Sequence, residues 1–492
     1  MKRNTALASL GLVLLLQVAI HLAIGEKWFY VDEQSILATS WLMQIGDKPY
    51  VDFAYVHMPG AGYVGYLFFS LFGTSILSAR FASLLASLLT TIIIFYIARK
   101  AFDDQTALSA SFLFVLLSPA LLSFQLLAEP YLTLFISSCF LFLYLYNIKP
   151  ALRYAALAGL SGGLAFIFKQ PGALSLPIGI VILWLCKSGP PEKKSSLISI
   201  ATFIVFFLLP ISFLILYYIL LGSLEDLLYN TIYTFLLTPG YKAHVLTPVG
   251  FIFLLSSISL LYILIHFRKS STNAPTERKA VVLVLLGWFL ASLSNAIPRL
   301  TTHHFLAILP VTAIAGACFL LSEKNSFIYV LGRGIVIFSF FFMFSASITA
   351  FASNGSIHGG DFIPSHILDF EYRQAAEYVA SKTDANESIL GMPNAPLYFI
   401  SKRRPAAYWH YSGSWSIDYE VGERLLHDLE TNAPAYIAYL THNGYNMSIL
   451  YPSVDEYVLS NYHVERTFLL GHSKATGTID GYIFIMARND RD

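Results

Sequence analysis

The chain has 492 residues, of which 56% are hydrophobic and only 12% charged. A soluble domain carries about 25% charged residues, so a mean hydropathy of +0.62 asks for lipid around most of this chain. A net charge of +1 gives no bulk electrostatic case for nucleic acid. Three scattered cysteines (Cys139, Cys186, Cys318) are too few for a disulfide framework or a zinc site and read as packing residues.

A spanning helix needs roughly 20 apolar residues. The chain begins MKRNTA, and the first run, 5–24, reads as an uncleaved first span. After it come Asp32-Glu33, an amphipathic segment (Ile36, Leu37, Trp41, Leu42, Ile45), a Gly-Asp-Lys-Pro turn and the cluster Tyr55-Val56-His57-Met58-Pro59. Further spans are expected at 76–98, 106–124, 130–147, 154–168, 171–187, 196–221, 247–267, 280–297, 304–321 and 334–352, which makes eleven. The apolar run 58–73 is short, Gly-rich and led by Pro59; it reads as a juxtamembrane or re-entrant helix. With that choice the basic clusters at 2–3, 99–100, 149–153, 187–194, 268–279 and 324–333 share one side, 15 Lys and Arg against 6 in the opposite loops. Such an excess marks the cytoplasmic face. Asp32, Glu33, His57, Glu129, Lys169, Arg299, His303 and His304 then all fall on the other face.

From about residue 353 charges and turn residues become frequent, and helix-period stretches alternate with short strand-like runs. Phe370–Ser381 and Val421–Glu430 read as helices; Ser388–Met392, Ala435–Leu440, Tyr462–Leu470 and Gly481–Ala487 read as strands. Such alternation favours a layered α/β unit. We expect a polytopic α-helical membrane protein over 1–352 and a small C-terminal extracytoplasmic α/β domain over 353–492.

The ionisable groups beside the spans are the candidates for chemistry, because charge near lipid is costly unless it has partners or work. Asp32 and Glu33 fit a helix start, which favours acids in any case; a carboxylate there can also act as general base on a hydroxyl. Glu129 precedes Pro130 at the start of the next helix, as a helix-start acid or a second carboxylate in the same cavity. Lys169 interrupts apolar sequence and either snorkels to the interface or meets an anion. Arg299 suits phosphate, and His303 and His304 can add a hydrogen bond or a charge. His57 stands alone. Metal binding by the pair is the weaker option, because adjacent histidines on a helix do not face one ion and no carboxylate lies nearby in sequence, so no residue is assigned to a metal. No nucleotide-binding loop is present, so a lipid-phosphate sugar suits a sugar transfer better than a nucleotide sugar does.

Several segments resemble polytopic lipid-phosphate-sugar-dependent transferases of the GT-C class, the protein O-mannosyltransferase and aminoarabinose-transferase-like group. They are Val31-Asp32-Glu33, Tyr50-Val51-Asp52-Phe53 with His57-Met58-Pro59, Phe72-Gly73 with Ala79-Arg80, Glu129-Pro130, Gly163-Leu164-Ala165-Phe166 with Lys169-Gln170-Pro171, and Arg299, His303 and Leu309-Pro310. Relatives commonly carry Asp where Glu129 stands, and Pro-Pro where this chain has Met58-Pro59. The resemblance implies a GT-C-like membrane fold and an inverting glycosyltransferase working at the extracytoplasmic face without a cofactor or bound metal. Its donor would be a polyprenyl-phosphate sugar and its acceptor a lipid, glycan or protein. It makes Asp32 the catalytic base, Glu33 its supporting acid, and Glu129 a second site carboxylate. Lys169, Arg299, His303, His304 and His57 become donor-phosphate ligands. A transporter or flippase of an anionic glycolipid is the alternative; the repeats common in transporters are not visible in the sequence.

Overall fold

The computed structural model describes residues 3–24, 31–185, 193–234, 253–262, 276–296, 302–321, 327, 330–338, 341, 356–358, 361–363, 365–392, 396–410, 419–442, 447–472 and 479–490. Arg299 and Cys186 lie outside these residues, as do the flanks of the expected spans 247–267 and 334–352.

The apolar runs fold as helices α1 (Arg3–Ile24), α4 (Ile76–Ala101), α5 (Asp104–Leu117), α6 (Ala128–Ile148), α7 (Leu152–Phe168), α8 (Ser175–Leu185) and α9 (Lys193–Leu220). Helix α2 (Val31–Gln44) starts with Asp32 and Glu33 in its first turn, where the helix dipole favours negative charge. Helix α3 (Gly60–Phe72) has 13 residues. At 1.5 Å per residue it is about 20 Å long, short of the roughly 30 Å hydrocarbon core. Gly73, at φ 86°, ends it with its N–H donating to Phe69 O. Ser75 caps α4 by accepting from Ser78 N, and Asp103 caps α5 by accepting from Thr106 N.

Five described helical segments are long and apolar enough to cross a membrane: Asn4–Ile24, Ile76–Ala101, Asp104–Leu121, Ala128–Ile148 and Ser196–Leu220. Six shorter apolar helices accompany them, including Phe253–Tyr262, Ala280–Ala296 and Leu309–Leu320. Helix α9 turns Val205, Phe213, Leu216 and Leu220 outward, as a lipid-facing surface does.

Two expected spans are redrawn. The α-helix expected over 106–124 stops at Leu117 and continues as a 3-10 turn with Pro119 inside it; Leu122 then adopts φ 59°, which breaks the helix. The helix expected from 304 begins at Leu309, with Pro310 in its first turn, and residues 302–305 form a separate 3-10 turn.

Helices α7 and α9 approach closely because α7 presents Gly159 and Gly163. A Cβ at either would sit 2.1 Å from the carbonyl oxygen of Phe203 or Phe207. Small residues four apart are the usual means of bringing membrane helices into backbone contact.

After residue 355 the described chain forms strands β1 (Ser356–His358) and β2 (Asp361–Ile363), paired antiparallel, then a four-stranded sheet. The sheet has the order β3 (Leu390–Met392), β4 (Tyr436–His442), β6 (Ile479–Arg488), β5 (Tyr462–His472). Strands β3 and β4 are parallel and the other pairs antiparallel. The helix Tyr419–Asn432 buries Val421, Leu425 and Leu429, one per turn. Leu397–Ile400 lies in a short helix, Pro396–Ser401.

This C-terminal unit docks on the turn after α2. Ala54 N donates to Tyr408 O at 2.8 Å. Tyr408 OH reaches Tyr50 O and Asp226 Oδ1, both at 3.3 Å, and Arg404 holds Ile45 O at 3.2 Å. Phe53 packs edge-on against His410, and Phe69 stacks on Phe399. One buried apolar cluster runs from Trp41, Phe53 and Phe69 into Tyr398 and Trp409.

Candidate active site

Neighbours on an α-helix point about 100° apart, and the acidic pair shows the consequence. Glu33 is fully buried and faces Arg80 on α4. Arg80 Nε donates to Glu33 Oε1 at 2.9 Å and Arg80 Nη2 to Glu33 Oε2 at 2.5 Å, a bidentate geometry. Leu126 N donates to the same Oε1 at 2.9 Å. Asp32 is half-buried, and among the described residues its carboxylate makes no ion pair or hydrogen bond.

The turn after α2 carries the aromatic cluster. Tyr50 adopts φ 65° and its hydroxyl donates to His57 O at 2.5 Å. The rings of Tyr55 and His57 meet edge to face at 5.6 Å. Burial, and after it the charge of Asp32, push the Tyr55 phenol well above its ordinary range, so it stays protonated.

A second group forms around Glu129, held in the first turn of α6 with 3% exposure. Lys169 sits where α7 ends in extended backbone before the 3-10 turn Gln170–Leu174, and its Nζ forms an ion pair with Glu129 Oε1. His303 Nε2 and His304 Nε2 lie 3.8 and 3.6 Å from that oxygen. Asn295 Nδ2 donates to His304 O at 2.8 Å, fixing the 3-10 turn that carries both rings. The expectation that adjacent histidines diverge is corrected here. On this short turn both imidazoles face one carboxylate, supplied by a distant helix. The possible ligand atoms of Glu129, His303 and His304 all lie within 4.8 Å of one another, so these three could hold a divalent cation. The Lys169 ammonium is the positive charge already at that oxygen.

The structure therefore brings together Glu129, Lys169, His303 and His304. It ties Glu33 to the Leu126 turn three residues before Glu129, and sets His57 beside Tyr55. Arg299 is outside the described residues. Sequence reasoning counted Arg80 among loop cations; its burial at 4% beside Glu33 was signalled only by its place one turn into an apolar helix.

Residues 56–217, which include His57, Arg80, Glu129 and Lys169, match the family model described as dolichyl-phosphate-mannose-protein mannosyltransferase. The matched segment is similar to that family over about a third of the chain. The fold is similar along nearly the whole chain to that of ArnT from Cupriavidus metallidurans, solved bound to undecaprenyl phosphate. The two have a TM-score of 0.59 and 13% identity, over 99% of this chain and 98% of that one. The oligosaccharyltransferase of Archaeoglobus fulgidus, solved with a tethered acceptor peptide, gives a TM-score of 0.55 and 13% identity over 98% of this chain and 74% of the other. An uncharacterised protein of Aquifex aeolicus (strain VF5) is 25% identical over 321 residues, covering 63% of this chain and 71% of its own.

Proposed function

We propose that this protein is a GT-C enzyme that transfers a sugar from a polyprenyl-phosphate donor to an acceptor hydroxyl of a lipid, glycan or protein at the extracytoplasmic face, with inversion. The membrane half, 1–352, carries the site, and residues 353–492 form an extracytoplasmic unit over it. The excess of Lys and Arg in one set of loops supports that orientation.

Asp32 takes the acceptor proton. The oxygen attacks the anomeric carbon, and the bond from that carbon to the phosphate oxygen breaks with its electron pair leaving on the lipid phosphate. Lys169, His303 and His304 carry the charge developing on that phosphate, joined by Arg299 and His57; Glu129 holds Lys169 in place. Water-excluded cations are effective at such a position. The lipid phosphate bound to the Cupriavidus protein supports the donor class.

The observation that carries the reading is the difference among the three carboxylates. Glu33 and Glu129 are each taken up by a cation, while Asp32 is left half-buried and unengaged among the described residues. A base needs a free carboxylate. Asp32→Asn should lower turnover by about 10²–10⁴-fold with little change in thermal stability. The assay would use a panel of undecaprenyl-phosphate sugars and, as acceptor source, membranes of cells lacking the gene. Wild-type turnover in that variant would remove the base assignment.

A further inference from the structure

The buried face of α4 is polar, while Leu77, Phe81, Leu85 and Leu89 are exposed on another. Arg80, Ser83, Ser87 and Thr91 follow one another at three- and four-residue intervals and so share a stripe. Arg80 holds Glu33. Ser83 Oγ donates to Gln125 O at 2.7 Å, and Ser87 Oγ to Ser123 O at 3.3 Å. Thr91 Oγ1 donates to Gln17 Oε1 at 2.8 Å. Ser83 and Ser87 thus satisfy two carbonyls of the irregular backbone of 122–127, which could not lie in a dry interior without partners. Arg80 also lies over the Phe124 ring, 5.3 Å from its centroid.

A buried ion pair is a weak source of stability, since a well-packed apolar pair of the same volume often does as well. What this pair adds is direction. Glu33 accepts from two elements at once, α4 through Arg80 and the turn before α6 through Leu126 N. Fixing the direction of Glu33 fixes the rotation of α2 about its axis, and Asp32 is the next residue on that helix. A rotation of about 20° would move a group at the helix surface, roughly 6 Å from the axis, by about 2 Å. A misplacement of about 1 Å can cost 10²-fold in rate.

We propose that Arg80 is a positioning residue. Through Glu33 and the Leu126 N–H it locks the aim of Asp32 relative to the Glu129–Lys169 group, and so sets the gap between base and donor phosphate. This rests on the assignment of Asp32 as base and of Lys169 to the donor phosphate.

The test compares full-length enzyme, Arg80→Lys and the double variant Arg80→Met/Glu33→Leu, with Asp32→Asn alongside. Thermal unfolding, binding of undecaprenyl phosphate, and kcat and donor KM are measured for each. The double variant should unfold near the wild-type temperature and bind undecaprenyl phosphate unchanged. Its kcat should fall at least 10²-fold with donor KM within a factor of three. Arg80→Lys, which keeps the charge without the fork, should fall less. A normal kcat in the folded double variant, with Asp32→Asn inactive, overturns the positioning role and leaves the base assignment intact. An active Asp32→Asn overturns the base assignment, and this inference falls with it. Should the double variant unfold, Arg80→Lys decides: wild-type kcat there overturns the proposal, and a drop in kcat at constant KM and undecaprenyl phosphate affinity supports it.

Discussion

Lys169 and Glu129 show what a single side chain contributes at this interface. The Glu129 side chain is 4% exposed and that of Lys169 21%, so each charge depends on the other. Removing one partner of a buried pair typically costs about 3–5 kcal/mol, because the remaining charge stays buried alone. Lys169→Met should therefore lower the unfolding temperature and also weaken binding of undecaprenyl phosphate. Adding Glu129→Leu should restore the unfolding temperature but not the affinity. If both properties return together in the double variant, Lys169 serves packing alone. Both residues were legible as candidates in the sequence, since each interrupts apolar runs. Their pairing was not, because forty residues and a helix reversal separate them. The same holds for His303 and His304: whether neighbouring rings converge depends on a 3-10 turn that hydropathy does not reveal.

Among the helices, the contact between α7 and α9 is the most exacting. A side chain at Gly163 would start 2.1 Å from Phe207 O, with Pro210 Cγ at 2.8 Å, so neither helix can give way by rotating a rotamer. Gly163→Val should push the pair apart, with a cost of about 1–3 kcal/mol or more, read as a fall in unfolding temperature in detergent. Because Lys169 follows directly on α7, turnover should fall as well. Gly316→Ala is the control, since a Cβ there meets Val336 only at ordinary contact distance, 3.5 Å. Helix positions were largely readable from apolar length, since a run of about 20 such residues has few other uses. What hydropathy could not show is where an apolar run stops being helical. Residues 118–127 are as apolar as their neighbours, yet Pro119 and the left-handed Leu122 turn them into a bent segment that must borrow hydrogen bonds from α4. Part of the site is built on that bend.

At the scale of the whole molecule, the C-terminal unit and the membrane half share one core, and a buried histidine lies at their junction. His410 is 2% exposed, packed between Phe53 and Tyr398. Burial lowers its pKa from 6.5 to about 4. The unfolded chain therefore binds this proton from about pH 6.5 downward while the folded protein resists it until about pH 4. Stability contributed by the neutral ring is full above pH 6.5 and is lost as pH falls through that window, by about 3 kcal/mol at most. Unfolding temperatures followed from pH 7 to pH 4.5 should drop more steeply for the wild type than for His410→Phe. Equal slopes would show that the ring titrates freely.

The order of strands in the C-terminal sheet bears on when during synthesis that sheet can close. Strand β6 inserts between β4 and β5, yet it is translated after both of them. Until Ile479–Arg488 has emerged, β4 has no neighbour on that side and β5 has no strand to pair with. A ribosome-bound chain halted just short of β6 would hold β5 unpaired beside an open edge of β4. The C-terminal sheet is thus closed by the last strand of the chain to be made, after all the described helices.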